Sequence, residues 1–262
     1  MKIQGRTFVV SGGASGLGRA CVLDICSRGG SAAILDMNEE LGRALAAQLG
    51  GSARFFACDV ADTASIAAAV QDLAGWVMQT GKQLGGIIPA AGVGRPGLVL
   101  DKRGAPLAIE AIDFVININL RGTLDLVRQV LPQLAAAPPD GPDGERGVVV
   151  MVASSAAFEG QMGQVAYAAS KGAVAAMTLP MARDLSRFGI RVATIAPSMF
   201  DSAMTAAMSD KVKKGLEKAM EFPVRAGKPD EFASLVRQII ENVMLNGVVI
   251  RLDGATRMPS KL

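Results

Sequence analysis

Histidine is absent from all 262 residues. That excludes Ser-His-Asp and Cys-His nucleophilic triads, His-ligated zinc, and any dehydrogenase whose base is an imidazole. Acid/base chemistry must therefore use Tyr, Lys, Asp, Glu, Cys or water, and the only tyrosine is Tyr167. Cysteine occurs three times, as Cys21, Cys26 and Cys58, with no CxxC spacing. An odd count so placed implies neither a disulfide framework nor a metal site, and points to a reducing compartment. No apolar run approaches the roughly 20 residues a membrane span needs. The N-terminus lacks the apolar stretch of a secretory signal, and Met1–Gly5 is too short for a transit peptide. Net charge is only +3 with no basic block, so no nucleic-acid footprint is expected.

What is present is aliphatic. Half the residues are hydrophobic but only 4% are aromatic, a composition that suits buried parallel strands covered by helices. Short apolar runs at 7–10, 32–35, 54–58, 86–90, 148–152, 191–195 and 248–252 are separated by segments of helical period. These are 16–28, 39–49, 65–79, 109–134 and 165–187. The alternation implies βαβ units, right-handed crossovers and a parallel sheet of about seven strands with helices on both faces. The expected architecture is a Rossmann-like, doubly wound α/β fold, with residues 1–262 as one domain. The stretch 135–144 (AAAPPDGPDG) reads as a surface loop.

The first run leads into Ser11-Gly12-Gly13-Ala14-Ser15-Gly16-Leu17-Gly18. Glycines at Gly12, Gly16 and Gly18 between strand and helix allow a tight turn and close backbone approach to a pyrophosphate. The spacing is GxxxGxG rather than the commoner GxGxxG. Asp36 ends the second run, 24 residues after Gly12. A carboxylate there can accept both adenosine ribose hydroxyls and repels a 2′-phosphate. Neither Ser15 nor Met37 supplies a cation, so the cofactor expected is NAD rather than NADP. Asp36 is also a candidate helix N-cap for the segment from Asn38.

Tyr167 and Lys171 lie four apart on an expected helix and share one face. A lysine charge near the phenol favours the phenolate and lowers a pKa ordinarily about 10. So tuned, a tyrosine exchanges a proton with an alcohol or carbonyl near neutral pH. Ser154, with Ser155 as an equal candidate, falls just past the fifth strand, where a hydroxyl can meet a substrate oxygen. The Asn119 amide is placed to hold a water linking Lys171 to solvent.

Taken in order, Ser11–Gly18, Asp59, Asn119, Ser154, Tyr167-Ala-Ala-Ser-Lys171 and Pro197 resemble the motifs of the short-chain dehydrogenase/reductase family over almost the whole chain. The resemblance implies that Tyr167 is the catalytic acid/base, and that Lys171 lowers its pKa and holds the nicotinamide ribose. It implies that Ser154 orients the substrate and Asn119 supports a proton relay. The implied NAD contacts are Ser11, Gly12, Ser15, Gly16, Leu17, Gly18, Asp36, Asp59, Val60, Ala91, Gly92, Tyr167, Lys171, Pro197 and Ser202. Asp59 and Val60 match the adenine-contacting pair. No metal site is expected.

Three further stretches are similar to the 3-hydroxyacyl-CoA dehydrogenase type 2 branch. They are 156–161 (AAFEGQ), 177–185 (MTLPMARDL), and 245–247 (LNG) with 251–255 (RLDGA). That likeness implies oxidation of an acyl-CoA 3-hydroxyl with NAD, a homotetramer, and an insertion over 95–110 near the substrate mouth. Alternatives are a hydroxysteroid or general alcohol dehydrogenase, a 3-oxoacyl carrier-protein reductase, and a non-catalytic cofactor-binding scaffold. A flat apolar pocket at Phe158, Phe200 and Met204 would favour steroids. Three departures from the family pattern stand out. Pro89-Ala90-Ala91-Gly92 replaces Asn-Asn-Ala-Gly, losing an amide that braces the central strands. Pro197-Ser198 replaces Pro-Gly, with Ser202 in the place of a threonine. Met199-Phe200-Asp201 puts a carboxylate in the substrate loop. The chain's last residues, Ser260-Lys261-Leu262, match a receptor-read peroxisomal address if the source is eukaryotic; a bacterial protein would be cytoplasmic.

Overall fold

The computed structural model describes residues 1–202, 205, 215–217 and 220–260. Met204, Lys261 and Leu262, on which two of the expectations above fall, lie outside the described residues.

The aliphatic runs become strands because they are apolar on both faces. Every residue is buried in β1 (Thr7–Ser11), β4 (Leu84–Pro89), β5 (Gly147–Val152) and β6 (Ile190–Pro197). β2 (Ser31–Asp36) is nearly so, whereas β3 (Ala53–Ala57) and β7 (Val248–Leu252) are only partly covered. The burial matches the topology. The strands form one seven-stranded parallel sheet in the order β3-β2-β1-β4-β5-β6-β7, with β3 and β7 at its edges.

Side chains alternate across each strand, so the sheet feeds two cores. On one face Val10, Ile34, Val148 and Val150 pack with Val22 and Ile25 of α1 (Gly16–Ser27), Leu45 of α2 (Glu39–Leu49), and Phe232, Val236 and Ile239 of a later helix. On the other, Val9, Leu35, Val149 and Met151 pack with three elements. These are α3 (Thr63–Thr80), α5 (Thr123–Ala136) and α6 (Val165–Leu185). The order reverses between β1 and β4, which opens a crevice at their carboxyl ends where α/β folds bind ligands.

Two elements differ from expectation. The helix expected over 109–134 is split: α4 (Ile109–Ile116) and α5 are joined by a π-helical turn at Asn117–Gly122. A further helix, α7 (Pro229–Glu241), was not anticipated, although its sequence marks it. Proline opens it, Asp230 and Glu231 follow in the first turn, and Phe232, Val236, Ile239 and Ile240 recur at helical spacing. The carboxyl end of α7 is capped from the sheet. Arg191 of β6 donates to the carbonyls of Ile239 at 2.7 Å, Ile240 at 2.8 Å and Leu245 at 2.9 Å, and pairs with buried Glu145 at 2.7 Å. No described helix is long and apolar enough to cross a membrane.

Candidate active site

The Gly-rich turn is built by exclusion of side chains. Gly12 has φ +64° and Gly16 φ +51°, in the left-handed region that favours glycine. A Cβ on Gly12 would lie 2.9 Å from Cα of Ala91, and one on Gly18 would run into the Gly12 carbonyl oxygen. The turn therefore presses against the β4 loop on one side and against its own helix on the other. Ser15 is the N-cap of α1 but makes no side-chain cap bond, and the first turn holds no acidic residue. The leading N–H groups of α1 thus face the crevice without a side-chain acceptor, which is the setting for an anion.

Asp36 closes this region from β2. Its Oδ2 accepts the Ala14 N–H at 3.0 Å and its Oδ1 the Asn38 N–H at 3.0 Å. The N-cap of α2 is Asn38, whose side chain accepts from Leu41 N–H at 3.0 Å, so Asp36 does not fill that role. Across the β2–β3 pair, the Cys58 N–H reaches the Asp36 carbonyl at 3.0 Å, and Asp59 Oδ1 holds the following loop through Ala61 N–H at 2.8 Å. Val60 abuts Gly122, where a Cβ would stand 2.5 Å from the Val60 carbonyl oxygen. Ser11 ties the turn to β4: its carbonyl accepts Ala90 N–H at 3.2 Å and its hydroxyl accepts Ala91 N–H at 3.2 Å.

The second half of the site is made of side chains. Lys171 on α6 is buried, and its Nζ donates to the Val152 carbonyl at the end of β5 at 2.8 Å. Nζ stands 6.0 Å from the centre of the Tyr167 ring. Burial brings Lys171 down to about 8. Burial also raises the Tyr167 phenol, and the Ser154 hydroxyl facing it draws the value back down. Of the two adjacent serines, Ser154 is the one turned to the phenol. Its Oγ also accepts Ala156 N–H at 3.2 Å, opening the short 3-10 turn Ser155–Ala157. The lowering of the phenol expected from Lys171 is not what dominates here; burial is.

Asn119 sits in the π-helical turn. Its Oδ1 accepts Val93 N–H at 2.8 Å, and its amide donates to the Val93 carbonyl at 2.9 Å and Ser170 Oγ at 3.1 Å. Both amide hydrogens are thus committed to protein, so the expected water contact is left to the second lone pair of Oδ1. Ser170 in turn donates to the Tyr167 carbonyl at 2.7 Å. Gly92 completes the junction: a Cβ there would lie 3.2 Å from Asn119 Oδ1 and 3.4 Å from Lys171 Nζ. Ser170, the Val152 carbonyl and the Val93 backbone were not foreseen. Ser170 had a signal in its i,i+3 spacing from Tyr167, whereas a backbone group has none.

At the end of β6, Pro197 leads to Ser198, whose N–H bonds the Leu252 carbonyl at 3.1 Å and whose hydroxyl is buried with no partner among the described residues. Ser202 N–H bonds Thr205 Oγ1 at 2.9 Å, and Ser202 Cβ lies 3.4 Å from where a Gly16 Cβ would be, over the turn. Asp201 is exposed, its N–H held by the Gly227 carbonyl at 2.9 Å. Phe200 is not a pocket wall. It is core, edge-on to Phe232 with ring centres 6.2 Å apart.

Comparison with known proteins bears on this arrangement. A family model described as short chain dehydrogenase matches residues 6–213. The 3-hydroxyacyl-CoA dehydrogenase type-2 of Drosophila melanogaster is 41% identical, with 98% of this chain and 99% of that protein covered. The protein of the same name from Homo sapiens is 40% identical, covering 98% and 97%. A crystal structure of 3-hydroxyacyl-CoA dehydrogenase type-2 from Mycobacterium avium superposes with a TM-score of 0.91 at 37% identity, over 100% of both chains.

Proposed function

The chain belongs to the short-chain dehydrogenase/reductase family, oxidoreductases that act on CH–OH groups, and we propose that within it the protein is an NAD-dependent (S)-3-hydroxyacyl-CoA dehydrogenase. One observation carries the reading. Tyr167, Ser154 and Lys171 converge at the carboxyl edge of the sheet, across the crevice from a turn whose leading helix N–H groups have no side-chain cap. The relatives named for 3-hydroxyacyl-CoA supply the substrate class.

A dinucleotide fits the residues present. Gly12 and Gly18 let the turn pack tightly against Ala91 and its own backbone, and the start of α1, free of a side-chain cap, offers a pyrophosphate its N–H donors. Asp36 faces the ribose end and disfavours a 2′-phosphate, which selects NAD. Asp59, Val60, Ala91, Gly92, Pro197 and Ser202 complete its walls. When bound, the nicotinamide supplies the hydride acceptor. The protein's own part is proton handling and orientation. Ser154 Oγ donates a hydrogen bond to the substrate oxygen, and Tyr167 Oη takes the hydroxyl proton as the carbonyl forms. Lys171, when cationic, favours the phenolate, because opposite charges at short range favour the ionised form. Asn119 ties the Val93 loop to Ser170 of α6 and so keeps that lysine in register.

Self-association fits the open edge of the sheet. β7 is only partly covered, and Leu179 and Met244 are exposed around it. A homotetramer is the assembly we assign, to be checked by light scattering.

The deciding assay is NADH formation from L-3-hydroxybutyryl-CoA with NAD, run beside NADP and a hydroxysteroid. Turnover of the CoA ester with NAD, and little with NADP, is the expected result. Turnover of the steroid alone would overturn the acyl-CoA assignment while leaving the dehydrogenase intact.

A further inference from the structure

The segment joining Ser154 to Tyr167 is held from an unexpected direction. At the carboxyl end of β7, Arg251 meets Glu159 through two parallel bonds, Nη1 to Oε1 at 2.6 Å and Nη2 to Oε2 at 2.8 Å. Its Nε reaches Asp253 Oδ2 at 2.6 Å, and Nη2 also donates to the Thr256 carbonyl at 3.1 Å. The guanidinium lies 5.2 Å from the centre of the Phe158 ring. Arg257 adds longer contacts, 3.5 Å to Glu159 and 3.3 Å to Asp253. The Arg251 bonds hold the Glu159 carboxyl below its usual range.

Most surface ion pairs contribute little. This one differs in kind: it is forked, partly buried, stacked on an aromatic ring, and shared among three segments. What it fixes is the loop between two residues of the site. Glu159 is five residues after Ser154 and eight before Tyr167. Gly160 packs so close to the residue after Tyr167 that a Cβ would lie 3.1 Å from Ala168 Cβ. Farther along, Gly163 accepts the Gly97 N–H at 2.8 Å, joining the loop to the 95–106 segment. Phe158 and Met162 remain exposed on it, at 50% and 58%. Apolar side chains left open on this loop are suited to meet the apolar part of a substrate.

We propose that Glu159 and Arg251 are positioning residues that lock the Ser154–Gly163 loop as the substrate-facing wall, so that they set substrate affinity without touching the cofactor. The inference rests on the reading of Ser154 and Tyr167 given above.

The test compares Glu159→Gln, Arg251→Lys and Arg251→Met with wild type, and uses Arg257→Ala as a control. Glu159→Gln keeps size and shape, so the protein is expected to fold; Arg251→Lys keeps the charge but not the fork. For L-3-hydroxybutyryl-CoA, KM is expected to rise about tenfold in Glu159→Gln and Arg251→Met, with kcat within about threefold. Arg251→Lys should fall between these and wild type, and Arg257→Ala should change KM less than about twofold. NADH affinity by fluorescence titration should stay within twofold throughout, and amide exchange should quicken in 156–163. An unchanged KM with unchanged exchange overturns the proposal. So does a parallel loss of NADH affinity, kcat and thermal stability, the mark of a merely structural brace. Should wild type itself turn over no CoA ester, the assigned substrate falls; exchange in 156–163 then still decides whether the clasp holds the loop.

Discussion

On one side of the crevice, the Ser11–Gly18 turn is shaped by backbone: Gly12 against Ala91, Gly18 against the Gly12 carbonyl, and N–H groups without a side-chain cap at the start of α1. On the other, Ser154, Tyr167 and Lys171 offer side chains. Each is held by a second partner: Ser154 by Ala156 N–H, Tyr167 through the Ser170 bond to its carbonyl, Lys171 by the Val152 carbonyl. The first side works by shape and fails when an atom is added. On the reading proposed above, the second works by chemistry and fails when a functional atom is removed. The two should therefore come apart under single substitutions, the cofactor following one and the turnover the other.

The largest separation is expected from Tyr167→Phe. It deletes one oxygen from a packed ring and touches nothing in the turn. General acid/base catalysis contributes about 10²–10⁴-fold, so kcat should drop by about 10³-fold while the dissociation constant for NADH holds within twofold. Steady-state kinetics and fluorescence titration on the same sample check both halves. A variant retaining most of its turnover would mean that Tyr167 is not the acid/base and that the scaffold reading has to be taken up again.

Gly18→Ala should do the reverse. Alanine is ordinarily the better helix residue, by about 1 kcal/mol, so propensity alone predicts a slightly firmer α1. The contact predicts otherwise, because the new Cβ must displace the Gly12 carbonyl and with it the turn. NADH affinity is expected to weaken by about 100-fold, or about 2.7 kcal/mol, with kcat at saturating cofactor much less affected. Unchanged affinity would show that the turn can open without cost and that its shape is not what binds.

These two substitutions also mark what could be read in advance. Gly12, Gly16 and Gly18 were legible because sterics allow almost nothing else there, and Tyr167 with Lys171 because four residues make one helical turn. The seven strands were legible from their short, mostly apolar runs. The π-helical turn at Asn117–Gly122 was not, since no residue within it breaks an α-helical pattern apart from Gly122, whose reason is the distant Val60 carbonyl. Phe200 could not be placed in advance, because an aromatic near a site looks the same from sequence whether it lines a pocket or fills a core; its partner Phe232 is 32 residues on. The carbonyl partners of Lys171 and Asn119 carry no residue identity at all. The helix α7 is a different case, since its start signal and period were present.

A smaller effect distinguishes the two sides by charge. The turn has no buried cation, whereas Lys171 is buried and brought from an ordinary 10.5 to about 8. The sign follows from proton counting. Between about pH 8 and 10.5 the unfolded chain carries the lysine proton and the folded cofactor-free protein does not, so stability rises with pH across that window. The slope for one proton is at most about 1.4 kcal/mol per pH unit. Lys171→Met should remove this slope from denaturant-derived stabilities compared with wild type. If both proteins show the same dependence, Lys171 is solvated when cationic, and its part in tuning Tyr167 must come from elsewhere.

The smallest effect is expected at Pro89, where the family pattern has asparagine. A proline in a central strand normally forfeits a ladder bond, and β4 lies between β1 and β5. The ladder shows why little is lost here. Pairing of β4 with β5 is confined to Gly86↔Val148 and Ile87↔Val149, so it has ended before Pro89. On the other side, Ala90 N–H and Ala91 N–H already turn to Ser11. Successive residues of a strand address opposite neighbours, so the missing N–H of Pro89 faces β5 (Gly147–Val152), with which the pairing of β4 stops at Ile87. Pro89→Asn should then shift Tm by less than about 3 °C, which for a chain of this size is about 1 kcal/mol or less, and leave NADH affinity and kcat within twofold. A gain well beyond that would mean that an amide at this position draws β4 and β5 together past Ile87. The splayed strands would then be a property of Pro89 rather than of the crevice they frame.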